Sequence, residues 1–258
     1  MCALMKHQPQ RSFDLALMDD FDDYEADLIG AGGSAMVMAI NRFWVIKSFA
    51  NGHDRTQDLQ REVKIYEQLK SAKGSPRVVK YVATWGRGII MERLEMTLRQ
   101  RLRLPDIDVG CRNRWMLEVC EGISFLHSEG IVHGDIGCQN TLIDRDGHAK
   151  ICDFAGSKTR DEDSWICYQV RSQHPKYIGK QPNYKTELFA LGSALFEIET
   201  LRQPYEKLPD SVVQMRFEQG KYPLNEIGRP RVREVVERCW KGKYSTVVEL
   251  NEDLAKAI

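Results

Sequence analysis

The sequence has no net charge, with 37 Lys and Arg against 37 Asp and Glu. No global field therefore steers it toward nucleic acid or an anionic membrane, and neither is expected as a partner. It also lacks a long apolar run: nothing approaches the roughly 18–20 residues that a bilayer span needs. The opening stretch MCALMKHQPQRSFDLALMDDFDDYEAD has no uninterrupted apolar centre of the secretory kind and turns acidic. Paired cysteines are missing. The seven cysteines are odd in number and scattered, with no C-x-x-C, which argues against a disulfide framework or a zinc site. A reduced, intracellular and cytoplasmic chain is expected, with the nucleus left open. Cys138 reads as a small space-filler rather than a reactive thiol. There are no repeats and no low-complexity linker.

What is present is a change of texture. At 258 residues the chain is long for one simple domain and short for two independent ones. Residues 1–23 are expected to be a partly disordered lead-in. Residues 24–92 read as strands with one helix. YEADLI and MVMAI flank GAGGSA; RFWVIKSF, VVKYVATW and GIIMERL supply three more strands. In RTQDLQREVKIYEQL (55–69), Leu59, Val63, Tyr66 and Leu69 fall near a period of 3.6, so a helix is expected there, ended by Gly74, Ser75 and Pro76. Residues 94–258 read mainly as helices. One covers about 112–129, with Met116, Val119, Cys120, Ile123 and Leu126 on one face. ELFALGSALFEIE (187–199) is apolar nearly all round, as a central helix would be. Val232, Val235, Val236, Cys239 and Trp240 mark another helix, and TVVELNEDLAKAI closes the chain. The expected fold class is α+β, bilobal: a small five-stranded β lobe with one helix, then a larger helical lobe, with chemistry in the cleft between them.

Several residues carry chemistry. GAGGSAMV lies between two strands, where backbone N–H groups on a glycine turn can approach phosphates. The strand context argues against a dinucleotide fingerprint, which needs a following helix. Lys47 sits inside an apolar strand. Alone it reads as an edge residue pointing to water, and Glu62 as a solvated helix charge; together they read as a phosphate-gripping lysine and its orienting carboxylate. HGDIGCQN (133–140) holds Asp135 and Asn140, and Asp153 follows the short strand HAKIC. Asp and Asn oxygens suit Mg²⁺, and a free carboxylate can accept a hydroxyl proton. Taken singly these are Asx turns. The ordered set of Gly loop, Lys, Glu, Asp, Asn and Asp favours phosphoryl transfer.

On these residues the sequence resembles the protein kinase family from about Tyr24 to Ile258. The resemblance implies ATP and Mg²⁺ as cofactors and a protein as substrate. It implies a catalytic set of Asp135 as base, Lys47 and Asn140, with Asn140 and Asp153 holding metal. Nucleotide contacts are implied for the loop residues Gly30, Ala31, Gly32, Gly33, Ser34 and Ala35. Val37, Val45, Lys47 and Glu62 follow them. Met91 is implied as gatekeeper, with Glu92 and Leu94 at the hinge and Leu142 also against the nucleotide. DFAG (153–156) resembles the metal-binding D-F-G motif, with Ala155 in place of the glycine. HGDIG with DFAGS is similar to a divergent group of fungal protein kinases.

The departures from the family pattern matter as much. Gly134 replaces the arginine that pairs with activation-loop phosphate, so Ser157, Thr159, Ser164 or Tyr168 cannot switch the enzyme through that contact. Gly137 replaces the lysine of serine/threonine kinases, and Gln139 stands where some tyrosine kinases carry arginine. Losing one charge-stabilising donor costs about 10²–10³ in rate, small beside the total acceleration. A slow enzyme, not a dead one, is expected. Glu187 replaces the central-helix aspartate and is expected to hold the catalytic loop loosely. RSQHPKY (171–177) stands in place of A-P-E, and the arginine that would pair with that glutamate is missing after Cys239-Trp240. HGD followed by Asn fits small-molecule kinases of the aminoglycoside or choline type equally well. ELFALGSALFEIETLRQPY, after about 30 residues that resemble an activation loop, favours the protein kinases. A scaffold without turnover is the third reading, motivated by Ala35, Gly137, Ala155 and Glu187.

Overall fold

The computed structural model describes residues 27–32, 35–50, 53–72, 74–161, 164, 168–178 and 181–258. The expected lead-in and the loop residues Gly33 and Ser34 lie outside the described residues. Strands β1 (Leu28–Ala31), β2 (Ala35–Ala39), β3 (Trp44–Phe49), β4 (Tyr81–Trp85) and β5 (Gly88–Glu92) form one antiparallel sheet in the order β1-β2-β3-β5-β4. The β2–β3 turn is closed by Asn41, whose Oδ1 accepts the N–H groups of Phe43 and Trp44.

Helix α1 (His53–Ser71) packs on this sheet. Leu59, Tyr66 and Leu69 are buried as the period predicts, joined by Ile65, while Val63 is only half-buried. Gly74, at φ 65°, ends the run by donating its N–H to the Leu69 carbonyl. Strand β3 alternates between two apolar clusters. Val45 and Phe49 face the main core, and Ile46 joins Ile90 on the other face. Lys47 shares the parity of Val45 and Phe49, and the sheet register therefore carries it inward.

The second lobe begins with β6 (Met96–Thr97) and the short helix α2 (Leu98–Arg101), then α3 (Val109–Ser128). Asp108 caps α3 by accepting the Cys111 N–H. Strands β7 (Thr141–Ile143) and β8 (Ala149–Ile151) join β6 in a three-stranded sheet. The sequence indicated only the last of these three. Helices α4 (Tyr184–Thr200), α5 (Asp210–Glu218), α6 (Pro230–Trp240) and α7 (Val247–Ala257) complete the lobe. Every residue of α4 from Thr186 to Glu199 is buried, as its all-round apolar character predicts. The five expected core residues of α6 are buried too, and the Trp240 indole N–H donates to Ser193. Among the described residues no helix is long and apolar enough to cross a membrane.

Candidate active site

Lys47 is no edge residue. It is 7% exposed, and Glu62 is fully buried, which overturns the solvent-facing readings of both. The Lys47 Nζ lies 2.7 Å from Glu62 Oε2 and 2.7 Å from Asp153 Oδ1. Burial works against the ammonium, but the two carboxylates outweigh it and raise the lysine's pKa. Burial likewise works against the Asp153 carboxylate, and Lys47 outweighs it, so the carboxyl titrates below its usual range. Asp153 is held at φ 70°, a conformation that non-glycine residues adopt only where their surroundings impose it. The backbone behind it is pinned by Arg61 Nη1, which donates to the Ala155 carbonyl at 2.9 Å. Phe154 packs edge-on against Tyr66 of α1 and against His133. Edge-on ring contacts through Phe154 thus join the helix of Glu62 to the loop of Asp135.

The loop itself is fixed by amides and a histidine. Asn140 Nδ2 donates to Asp135 Oδ2 at 2.7 Å and to the Asp135 carbonyl at 2.9 Å. Both bonds use the Asn140 amide nitrogen, and its backbone carbonyl accepts the Cys152 N–H at 3.0 Å. His133 accepts the Asp135 N–H on Nδ1, which places its proton on Nε2, facing the Cys152 carbonyl at 3.0 Å. Burial pushes the Asp135 pKa up to about 6, against the pull of His133 and the Asn140 amide. Cys138 is buried with its thiol pKa raised by burial, in keeping with a filler role.

Glu187 does not hold the loop loosely. It is fully buried, and its two oxygens accept four hydrogen bonds. Oε2 takes the His133 N–H at 3.0 Å and His127 Nε2 at 2.9 Å; Oε1 takes the Gly134 N–H at 2.9 Å and the Tyr168 hydroxyl at 2.9 Å. The extra methylene lets the carboxylate reach both loop amides and still meet a histidine and a tyrosine. Neither His127 nor Tyr168 was marked as a site residue. Their signal is spatial, 60 and 19 residues from Glu187, and no local pattern carries it.

Gly134 is required by the backbone, beyond lacking the arginine's charge. Its φ is 81°, and a Cβ there would sit 2.7 Å from the Gly156 carbonyl. Downstream hydroxyls are engaged internally. Ser157 donates to the His133 carbonyl at 2.7 Å, Ser164 to the Gly156 carbonyl, and Tyr168 to Glu187. All three, with Thr159, are buried. In the segment that replaces A-P-E, Arg171 donates to Asp210 at the start of α5 and to the carbonyls of Tyr205 and Leu208. A basic tether thus stands where the family carries an acidic one.

Of the expected nucleotide residues, Gly30, Ala31, Ala35, Val37, Val45, Lys47, Met91 and Glu92 lie in the five-stranded sheet. Gly30 and Ala31 lie in β1, and the Gly32 N–H donates to the Ala35 carbonyl across the turn at 2.9 Å. Val37 is paired with Lys47, and Val45 with Met91. Leu94 and Leu142 are half-buried. The Glu92 side chain is committed elsewhere: it accepts from Lys150 Nζ, at 2.9 Å on each oxygen, and from the Lys80 N–H at 2.7 Å. A contact of Glu92 with adenine is therefore a matter for its backbone. Asp153 (side chain 38% exposed) and the Asn140 side-chain amide supply oxygens of the hard kind that Mg²⁺ takes. Among the described residues no three His, Cys, Asp or Glu gather into a protein-only cage. The set fits a cation shared with nucleotide phosphates.

A family model described as a protein kinase domain matches residues 24–248. The chain is similar to Receptor-interacting serine/threonine-protein kinase 1 of Homo sapiens, at 22% identity over 271 residues, covering 91% of this chain and 40% of that protein. It is similar to Serine/threonine-protein kinase CTR1 of Arabidopsis thaliana, at 24% over 229 residues, covering 79% of this chain and 27% of that protein. Serine/threonine-protein kinase STY46 of Arabidopsis thaliana is 25% identical over 154 residues, or 55% of this chain and 27% of that protein. The chain spans less than half the length of these curated relatives.

Proposed function

The chain belongs to the protein kinase family, and from that premise we propose that it transfers the γ-phosphoryl group of ATP to protein hydroxyls, on serine or threonine, slowly. The observation that carries this reading is Lys47 Nζ at 2.7 Å from both Glu62 and Asp153. That closure joins the two lobes' contributions to one site. The serine/threonine preference is supported by the names of the curated relatives.

When bound, Mg²⁺-ATP supplies the phosphoryl group and the cation that spreads its developing charge. Asp153 and the Asn140 side-chain oxygen would hold the metal. Lys47 binds phosphate oxygens, kept in place by Glu62. Asp135 orients the substrate hydroxyl and accepts its proton as that oxygen bonds to phosphorus and the bond to ADP breaks. Glu187 keeps the loop shaped from below. Gly137 supplies no cation to the transferring group, which is the reason for a slow rate.

The test is radiolabel transfer from ATP to a generic protein, set beside amino sugars and choline, with autophosphorylation sites mapped by mass spectrometry. Label on Ser or Thr of protein, lost in Asp135→Asn, is expected. Label on small molecules alone ends this reading. A thermal midpoint unmoved by Mg²⁺-ATP, with no Asp135-dependent label, favours a scaffold. Because burial pushes the Asp135 carboxyl of the free protein up to about 6 and it acts as the carboxylate, kcat/KM is expected to fall as pH drops through about 6 and to level off above 7. A profile flat down to pH 5 would remove Asp135 as base.

A further inference from the structure

Gly137 and Gln139 sit two residues apart and meet in space. A Cβ added at Gly137 would lie 2.3 Å from Gln139 Oε1, 2.7 Å from its Nε2 and 2.8 Å from Cδ. The whole amide of Gln139 therefore rests on the bare Cα of Gly137. From that seat Nε2 lies 3.5 Å from Asp135 Oδ1, while Asn140 holds Oδ2 at 2.7 Å. Each oxygen of the catalytic carboxylate thus faces one side-chain amide. The Gln139 contact is long, as catalytic hydrogen bonds often are before substrate fills a site.

The other end of the amide argues against simple packing. Gln139 Oε1 is buried and has no hydrogen-bond partner among the described residues. An orphaned buried acceptor is a cost that an apolar side chain of the same length would avoid. A glutamine kept here for shape alone is the wrong choice; one kept for its N–H on Asp135 is the right one.

We propose that Gln139 is a positioning residue for the Asp135 carboxylate, seated in the slot that Gly137 leaves open, so that the two residues form a matched pair. This rests on the kinase reading above. It changes the meaning of Gly137. Any side chain at 137 evicts the amide, because the amide is the flexible partner in that contact. The glycine is then the condition for the local solution, and its lack of a cation is only half of its effect.

The test is steady-state kinetics on Gln139→Met, Gln139→Glu, Gly137→Ala and the double variant Gly137→Ala/Gln139→Met. Gln139→Met is expected to lower kcat about 10-fold, the scale for one hydrogen bond to a charged group, with the KM for ATP within about twofold. Gly137→Ala is expected to lose a similar factor. The double variant is expected to be no worse than either single, because the alanine then has nothing to displace. Gln139→Glu keeps the shape and sets a carboxylate against Asp135, so it is expected to lose more than Gln139→Met. Thermal midpoints, with and without Mg²⁺-ATP, show that each variant is folded and binds nucleotide. An unchanged kcat in Gln139→Met, losses that multiply in the double variant, or an effect confined to the KM for ATP would each overturn the pairing. Those outcomes leave Asp135-dependent transfer in the wild type intact. Its absence would overturn the kinase reading, and this inference with it.

Discussion

Asp153→Asn is expected to lower ATP-dependent transfer by about 10³-fold or more while the unliganded protein stays folded. The substitution keeps size and shape and removes one negative charge from the oxygens that would hold the metal. A cation at such a site is worth several kcal/mol to phosphoryl transfer, and each 1.4 kcal/mol is about a factor of ten. The structural cost is smaller. Asp153 is 38% exposed on its side chain, so its pair with Lys47 contributes roughly 1 kcal/mol or less to stability. That corresponds to a Tm drop of about 2–4 °C. Lys47→Met should behave differently. It leaves Glu62, fully buried, without its cation, and breaking a buried pair from one side costs about 3–5 kcal/mol. That variant is expected to lose nucleotide use and fold stability together. Kinetics and thermal melts on the two variants separate the roles. Full transfer by Asp153→Asn would refute its assignment as the metal ligand.

How much of this was legible in the sequence follows from the range over which each signal acts. Helices α1, α4 and α6 bury the faces that their spacing marks, because a helix of three or more turns repeats its pattern often enough to be read. The three-stranded sheet was mostly missed. Its strands are 2, 3 and 3 residues long, too short for an alternation to show. Helices α2 and α5 were missed for a related reason: α2 has 4 residues, and only Val213 and Phe217 of α5 are buried.

The site was legible as an ordered set of residue types and not as geometry. A strand lysine looks like an edge residue until β3 is paired on both sides with α1 over its inner face. Gly137 and Gln139 read as two absences, since the contact that links them is made by a side-chain amide folding back over one Cα. Physical accounting of buried donors and acceptors recovers what local pattern does not.

Glu187 is the clearest instance, and Glu187→Asp should show it. By family pattern the substitution restores the usual residue. In this protein it is expected to harm. The carboxylate would retreat by one C–C bond, about 1.5 Å, from four donors that now lie at 2.9–3.0 Å. Two of those donors are backbone N–H groups of the catalytic loop, at His133 and Gly134. A buried donor left without its acceptor costs about 1–3 kcal/mol, so partial loss of the set amounts to roughly 3–5 kcal/mol. The expected Tm drop is about 6–20 °C, with transfer falling as the loop loosens. The isosteric Glu187→Gln separates charge from length. Burial opposes the Glu187 charge, but the hydrogen bonds from His127 and from the Gly134 N–H outweigh it and lower its pKa from 4.5. A carboxyl whose pKa is lowered by folding stabilises the folded state in full above the unfolded value and loses that contribution as pH falls through the folded one. The stability gap between wild type and Glu187→Gln is therefore expected to be constant above pH 4.5 and to shrink below it. Chemical denaturation at a series of pH values reads this directly. A Glu187→Asp variant as stable as the wild type would mean that the loop adjusts to either length, and the fit of four donors to one carboxylate would lose its significance.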